Sequence, residues 1–369
     1  MERVRIFGSG PPFFFGPLPP GTAGPPLDCR PPASPSAHPW YALWMSRLLA
    51  AEPLKSVADS IERLEGNVAR VIRGKPEAIR NAVLALLARG HLLIEDVPGV
   101  GKTTLARALA ASIGGTFHRI QFTSDLLPSD IIGVSVLDGT TGRFEFKPGP
   151  LFANVVLADE INRTTPRTQS ALLEAMNDNQ VSIDGVGHRL EPPFMVVATQ
   201  NPEEHYGTYP LPESQMDRFA VRIRLDYPSA ETERALLLEA PSMTDEALAQ
   251  VEAVASLSEI VALQEAAARV KLAPELAGYI VEVARETRRS PFLSLGISPR
   301  GELSWRNLAR AAALVAGRNY VLPDDLKSLA LPALAHRVVL ANQLDSTGRA
   351  REEAERVVAD VLSRVAIPG

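Results

Sequence analysis

The residues Asp96-Val97-Pro98-Gly99-Val100-Gly101-Lys102-Thr103 bring two glycines, a lysine and a hydroxyl into one short stretch. Those types suit the cradling of a polyphosphate. Gly99 and Gly101 let the backbone approach the phosphates and aim N–H groups inward, at the positive end of a following helix dipole. Lys102 would place a point charge on the β- and γ-phosphates, and Thr103 a hydroxyl on Mg²⁺. One position departs from the general pattern G-x-x-x-x-G-K-[ST], because Asp96 replaces its first glycine. Downstream, Asn154-Val155-Val156-Leu157-Ala158-Asp159-Glu160 is an apolar run ending in two carboxylates. Asp159 suits Mg²⁺, mostly through water, and Glu160 suits orienting and deprotonating an attacking water. Asn201, at the end of Val196-Val197-Ala198-Thr199-Gln200-Asn201-Pro202, could hold that water or touch a γ-phosphate. A turn-forming Asn before Pro is the alternative. Arg218 in Gln215-Met216-Asp217-Arg218-Phe219 offers a delocalised charge for a phosphoryl transition state, in its own subunit or a neighbour's. A surface salt bridge to Asp217 or Glu213 is its alternative role.

A sheet is needed to position these groups. His91-Leu92-Leu93-Ile94 is an apolar run of the kind found in buried parallel strands, and Thr104 to Ala110 carries strong helix formers with an apolar face. Further strands are expected at Phe117 to Phe122, Val155 to Ala158, Met195 to Thr199 and Phe219 to Leu225. Their alternation with helical patterns predicts a parallel five-stranded sheet covered on both faces, with ligands beyond the carboxyl ends of the strands. Upstream, Ile61, Leu64, Val68, Val71 and Ile72 recur at helical spacing, and a second helix is expected from Ala78 to Leu87 after a break at Arg73 to Glu77. After Tyr227-Pro228 the pattern becomes helical. Ser256-Leu257-Ser258-Glu259 reads as a capping box, Gly317 as a helix stop, and Val357, Val358, Val361, Leu362 and Val365 as the stripe of a last helix. The expected organisation is an α/β nucleotide-binding core over 47–228 and a helical domain over 229–369. Residues 1–46 are Pro- and Gly-rich, with pairs such as Pro11-Pro12 and Pro31-Pro32. They read as a flexible tail, a polyproline ligand, or a start assigned too far upstream of Met45.

Composition narrows the function classes. The chain has 369 residues, 46% of them apolar, enough to bury a sizeable core in two folded units. Its 38 Lys and Arg against 43 Asp and Glu give a net charge of -5, which counts against a nucleic-acid partner without forbidding a local basic patch. The single cysteine, Cys29, forbids an intramolecular disulfide or a cysteine-based metal cluster, and a reducing, cytoplasmic setting is expected. No apolar run approaches the roughly 20 residues of a membrane span. Five prolines between Pro11 and Pro20 break the stretch that follows Arg3 and Arg5, which argues against a secretory leader.

Four blocks carry a resemblance. Ile120 to Asp130, Glu160-Ile161-Asn162-Arg163, Gln169 to Met176 and Gly207 to Glu213 together resemble the MoxR family of AAA+ ATPases, over roughly Leu54 to Leu340. The resemblance implies an AAA+ core with a C-terminal helical lid, and ATP with Mg²⁺ bound along Asp96, Val97, Pro98, Gly99, Val100, Gly101, Lys102, Thr103 and Thr104. Asp159 and Glu160 look like the Walker B pair, with Thr103 and Asp159 on the metal. Asn201 looks like sensor 1 and Arg218 like the arginine finger, with Arg163 a second candidate for the trans-acting role. Arg300 in Ser298-Pro299-Arg300 looks like sensor 2, acting on the nucleotide of its own subunit, and Val71 and Ile72 with Gly74 would line the adenine pocket. Two hairpins, Gly133 to Pro150 and Gln180 to Leu190, resemble the helix 2 insert and the hairpin before sensor 1. The family implies a ring, expected to be a hexamer, that remodels or matures partner complexes. A von Willebrand factor A protein is an expected partner and metal-cofactor insertion one expected role. A nucleic-acid motor or chelatase-like subunit, and a nucleotide-dependent binding switch with little hydrolysis, are the alternatives. Gly301 in a first helical turn and Leu322 at a capping position depart from a good lid sequence, each weakening its helix.

Overall fold

The computed structural model describes residues 51–140, 142–201, 209–239, 248, 250–342 and 347–368. The Pro- and Gly-rich stretch 1–46 with Cys29, and residues 202–208, lie outside them.

Helices α1 (Ala51–Ala69) and α2 (Pro76–Leu87) lead into strand β1 (Leu92–Glu95) and helix α3 (Lys102–Ser112). Helix α2 begins two residues before the expected Ala78, because Pro76 occupies its first turn, where no N–H is needed. Then come β2 (Phe117–Gln121), α4 (Pro128–Ile132), β3 (Gly133–Leu137), β4 (Phe144–Pro148), β5 (Val155–Asp159) and α5 (Pro166–Asp178). The core closes with β6 (Gln180–Ile183), β7 (Val186–Arg189), β8 (Met195–Gln200), α6 (Glu213–Met216) and β9 (Val221–Ile223). Five parallel strands form the main sheet in the order β2-β5-β8-β1-β9. Strand β9 is shorter than the expected Phe219 to Leu225, since Leu225 leaves the ladder to bond a loop side chain.

Both faces of the central strands β1, β5 and β8 are buried, as their unbroken apolar runs require. Leu92, Ile94, Val155, Leu157, Met195 and Val197 pack towards α2 and α3, while Leu93, Val156, Ala158, Val196 and Ala198 pack towards Leu172, Leu173 and Met176 of α5. Each such leucine contributes roughly 2 kcal/mol relative to exposure. His91 is buried under this second layer, where its Nδ1 accepts from Val196 N at 3.0 Å and its Nε2 donates to Met176 O at 2.9 Å. Burial pushes its pKa down from 6.5 to about 4, so the folded protein holds the neutral ring. The unfolded chain binds the proton first. Stability is therefore full above about pH 6.5 and is lost progressively as pH falls towards 4, by roughly 1.4 kcal/mol per pH unit from this group. Urea unfolding between pH 7 and pH 5 is expected to show this slope, and His91→Gln to flatten it.

The helical domain comprises α7 (Ala230–Glu239), α8 (Leu257–Arg269), α9 (Pro274–Arg289), α10 (Pro299–Val315), α11 (Pro323–Leu334) and α12 (Thr347–Arg364). It is not wholly helical. Strands β10 (Leu293–Leu295) and β11 (Val339–Leu340) pair antiparallel, closing two inter-helix connections onto each other. Ser256 and Glu259 form the expected reciprocal cap, and Gly317, at φ 67, follows the end of α10. The two weak points have local remedies. The Asp325 carboxylate accepts from Leu322 N at 2.8 Å and pairs with Arg318, so the cap comes from the first turn of α11 rather than from residue 322. At Gly301 a Cβ would meet Arg337 Cδ and Ile297 Cγ2, each at 3.0 Å, so the glycine makes room for a buried arginine.

Candidate nucleotide site

The loop from Asp96 to Gly101 connects β1 to α3 at the carboxyl edge of the sheet, between β8 and β9. Gly99 and Gly101 have φ of 86 and 97, the left-handed region in which a side chain would be strained. Lys102 Nζ donates to Asp96 O at 2.6 Å across the loop. The Asp96 side chain points away from that bend. Its Oδ1 accepts from Val97 N, and its Oδ2 from Leu225 N and Asp226 N at 2.6 and 2.7 Å. The carboxylate thus ties the loop to the segment leaving β9, and the position usually held by glycine is here an anchor. Glu95, one residue earlier, pairs with the buried guanidiniums of Arg222 and Arg351, linking the same strand end to α12.

Beside the loop lies a cavity of about 330 Å³, lined by Pro98, Gly99, Gly101, Lys102, Thr103, Thr104, Arg119, Asp159, Glu160 and Asn201. Because β8 neighbours β1 and β5 neighbours β8, all parallel, their last residues converge on it. Asp159 is buried; its Oδ1 accepts from Thr199 Oγ1 at 2.6 Å, and its Oδ2 from Arg119 Nε and Nη2 at 3.0 and 2.6 Å. The Thr199 hydroxyl in turn accepts from Glu160 N at 2.8 Å. Glu160 has left-handed backbone angles, φ 57 and ψ 49, uncommon for a non-glycine and typical of sites where one direction is imposed on a side chain. Its Oε2 accepts from Gln121 Nε2 at 2.7 Å and lies 3.3 Å from Arg163 Nε.

Arg218 and Arg300 do not line the cavity of their own chain. Arg218 Nη1 donates to Leu173 O, and burial, then the nearby Arg300 charge, lower its pKa. What brings Arg300 beside Arg218 is a clasp between core and lid. The Asp217 carboxylate accepts from Ser298 Oγ at 2.9 and 2.8 Å and from Arg337 Nε at 3.1 Å. Arg337 is buried, and its Nη2 also donates to Phe219 O at 2.8 Å. Ser298 caps α10 through Gly301 N, which places Arg300 in that helix's first turn. The clasp holds the start of α10, and with it Arg300, near Arg218 at the junction of core and lid.

The structure gathers Gly99, Gly101, Lys102, Thr103, Thr104, Asp159, Glu160 and Asn201 around one space. Asp96, Val97 and Val100 belong to the same loop but do not line that space, Val100 packing on the core, and Ile72 lies over the loop, 3.5 Å from where a Gly101 Cβ would stand. Val71 is half-buried against the same core. Arg119, Gln121 and Thr199 were missed. A signal existed: Arg119 and Gln121 alternate with buried Ile120 and Phe122, so both project from one side at the end of a strand. Strand order, which no local pattern carries, puts them beside Asp159.

Residues 91–221 match the family model described as the ATPase family associated with various cellular activities (AAA), and residues 285–361 match an AAA lid domain. The YeaC protein of Bacillus subtilis is 47% identical over 82% of this chain and 93% of its own. Chaperone MoxR1 of Mycobacterium tuberculosis is 39% identical over 86% of this chain and 85% of its own. A crystal structure from Cytophaga hutchinsonii, of a protein assigned as an ATPase, superposes with a TM-score of 0.78 at 35% identity, covering 88% of this chain and 100% of that one.

Proposed function

The chain belongs to the MoxR family of AAA+ ATPases, and from that membership we propose that it hydrolyses ATP at subunit interfaces of a ring, expected to be a hexamer. One observation carries this reading. Lys102, Thr103, Asp159, Glu160 and Asn201 share one cavity, and neither Arg218 nor Arg300 of the same chain lines it. A cavity that Arg218 of the same chain does not line suits completion by a neighbour's Arg218, with Arg300 the sensor 2 candidate from the lid of the same subunit. Arg163 is the weaker candidate, since it pairs with Glu160 of its own chain.

The cavity residues fit both ligands. Loop N–H groups and Lys102 suit the phosphates. Mg²⁺ would be held by Thr103 and Asp159, hard oxygen donors of which the carboxylate already carries a cation in Arg119, and it would offset charge developing on phosphate oxygens. Glu160 would take a proton from the attacking water and Asn201 would orient that water. Chaperone-like remodelling of partner complexes in the cytoplasm is the use we propose for the hydrolysis, supported by the similarity to Chaperone MoxR1. A von Willebrand factor A partner and a role in metal-cofactor insertion belong to the same reading.

Mixed assemblies test the interface. Arg218→Ala is expected to keep nucleotide binding and to lose turnover by roughly a hundredfold or more. Lys102→Ala is expected to lose nucleotide binding. Mixing the two, each inactive alone, should restore part of the turnover, because a Lys102→Ala subunit can lend its arginine to an intact neighbouring cavity. No rescue at any ratio would count against action in trans.

A further inference from the structure

Arg119 lines the cavity but has no assigned part in binding nucleotide or handling water. It stands on β2, paired in register with Leu157 of β5, and its guanidinium reaches along the strand to the Walker B carboxylate two residues on. Nε and Nη2 both donate to Asp159 Oδ2, the oxygen left after Thr199 takes the other. A metal-binding carboxylate is therefore fully engaged, with a fixed positive charge on the side that faces the cavity. The same Nη2 donates to Gln121 Oε1 at 2.8 Å, and Gln121 donates to Glu160. A continuous run of bonds thus joins Asp159, Arg119, Gln121 and Glu160.

We propose that Arg119 is a positioning residue that holds Asp159 in a cation-paired state which Mg²⁺ must displace, so that it sets the Mg²⁺ concentration at which the nucleotide site loads. This inference rests on the assignment of the cavity as a nucleotide and Mg²⁺ site. Two cations cannot share one carboxylate oxygen without strong repulsion, since like charges a few Å apart are weakly screened in a half-buried cavity. When Mg²⁺ and its waters claim Asp159, the guanidinium swings towards solvent, to which half of its side chain is already open. Gln121 then loses its acceptor contact with Arg119, and the hold on Glu160 loosens. Arg119 thereby links metal arrival to the release of the carboxylate that handles water, and without Mg²⁺ it keeps both acidic groups occupied.

Binding of a fluorescent N-methylanthraniloyl-ADP to the full chain, first in EDTA and then along a Mg²⁺ titration, tests the proposal without using turnover. Arg119→Ala and Arg119→Gln are expected to bind the probe in EDTA as the wild type does and to need roughly fivefold less Mg²⁺ for half-saturation, the scale of a partly exposed ion pair. Arg119→Lys, which keeps the charge but not the two-pronged contact, should fall between. An unchanged or raised Mg²⁺ midpoint in folded variants, judged by thermal melting, overturns the proposal. So does a loss of probe affinity in EDTA, which would make Arg119 a phosphate ligand. A wild type that binds no probe under either condition would overturn the nucleotide-site assignment itself, and the inference with it.

Discussion

Glu160→Gln is expected to lower ATP turnover by roughly two orders of magnitude or more while nucleotide affinity stays close to that of the wild type. The amide keeps the size of the side chain and its ability to accept from Gln121, but it cannot take a proton from water. A positioned general base contributes on the order of 10²–10⁴ in rate. The backbone argues that this direction is specific to Glu160. Its left-handed conformation and the bond from its N–H to Thr199 turn the side chain out of the strand line, whereas Asp159, one residue earlier, points back to Thr199 and Arg119. Two adjacent carboxylates thereby receive different tasks. Asp159→Asn is expected to raise the Mg²⁺ requirement, an effect that Glu160→Gln should not share. Steady-state phosphate release and probe binding, measured on the same preparations, separate the two. A wild type as slow as Glu160→Gln would favour a nucleotide-dependent binding switch over an enzyme.

Asp217→Asn is expected to destabilise the folded chain by about 3 kcal/mol and also to lower turnover. Arg337 is almost entirely enclosed, with a side-chain exposure of 1%, and burial lowers its pKa to about 10. The Asp217 charge is its one carboxylate partner among the described residues. Removing that charge leaves a buried guanidinium with no counter-ion, supported by neutral acceptors alone, the carbonyls of Ala333, Asp217, Phe219 and Ala220 among them. Breaking such a pair from one side costs more than the pair itself contributes, because the remaining ion stays desolvated. Combining Asp217→Asn with Arg337→Met should recover part of the loss in chemical denaturation, since no uncompensated charge then remains. Turnover should not recover with it: Ser298 also bonds Asp217, and the clasp is what keeps Arg300 beside Arg218.

Much of the fold and site was legible in order along the chain. The loop chemistry from Gly99 to Thr103, the apolar strand ending in Asp159 and Glu160, and the strand ending at Asn201 are contiguous patterns. Each reports local geometry, because a strand pleat, a left-handed glycine turn and a helix N-terminus are set by neighbouring residues. The helical capping signals at Ser256 and Gly317 belong to the same class. Two departures read as defects along the chain have partners far away: Gly301 accommodates Arg337, and Asp96 bonds the backbone at Leu225 and Asp226, more than a hundred residues downstream.

By itself, then, the sequence determined which side chains could handle a polyphosphate and which elements carry them, since both are written at short range. Tertiary structure alone decided which residues act on one another. Strand order put Arg119 and Gln121 against Asp159 and Glu160, and the Asp217 clasp joined the core to Ser298 and Arg337 of the lid. The physical reason is range. Backbone sterics and periodicity act over a few residues, whereas an ion pair between a strand end and a lid helix depends on how two layers pack, and the sequence signals only that a charge is present.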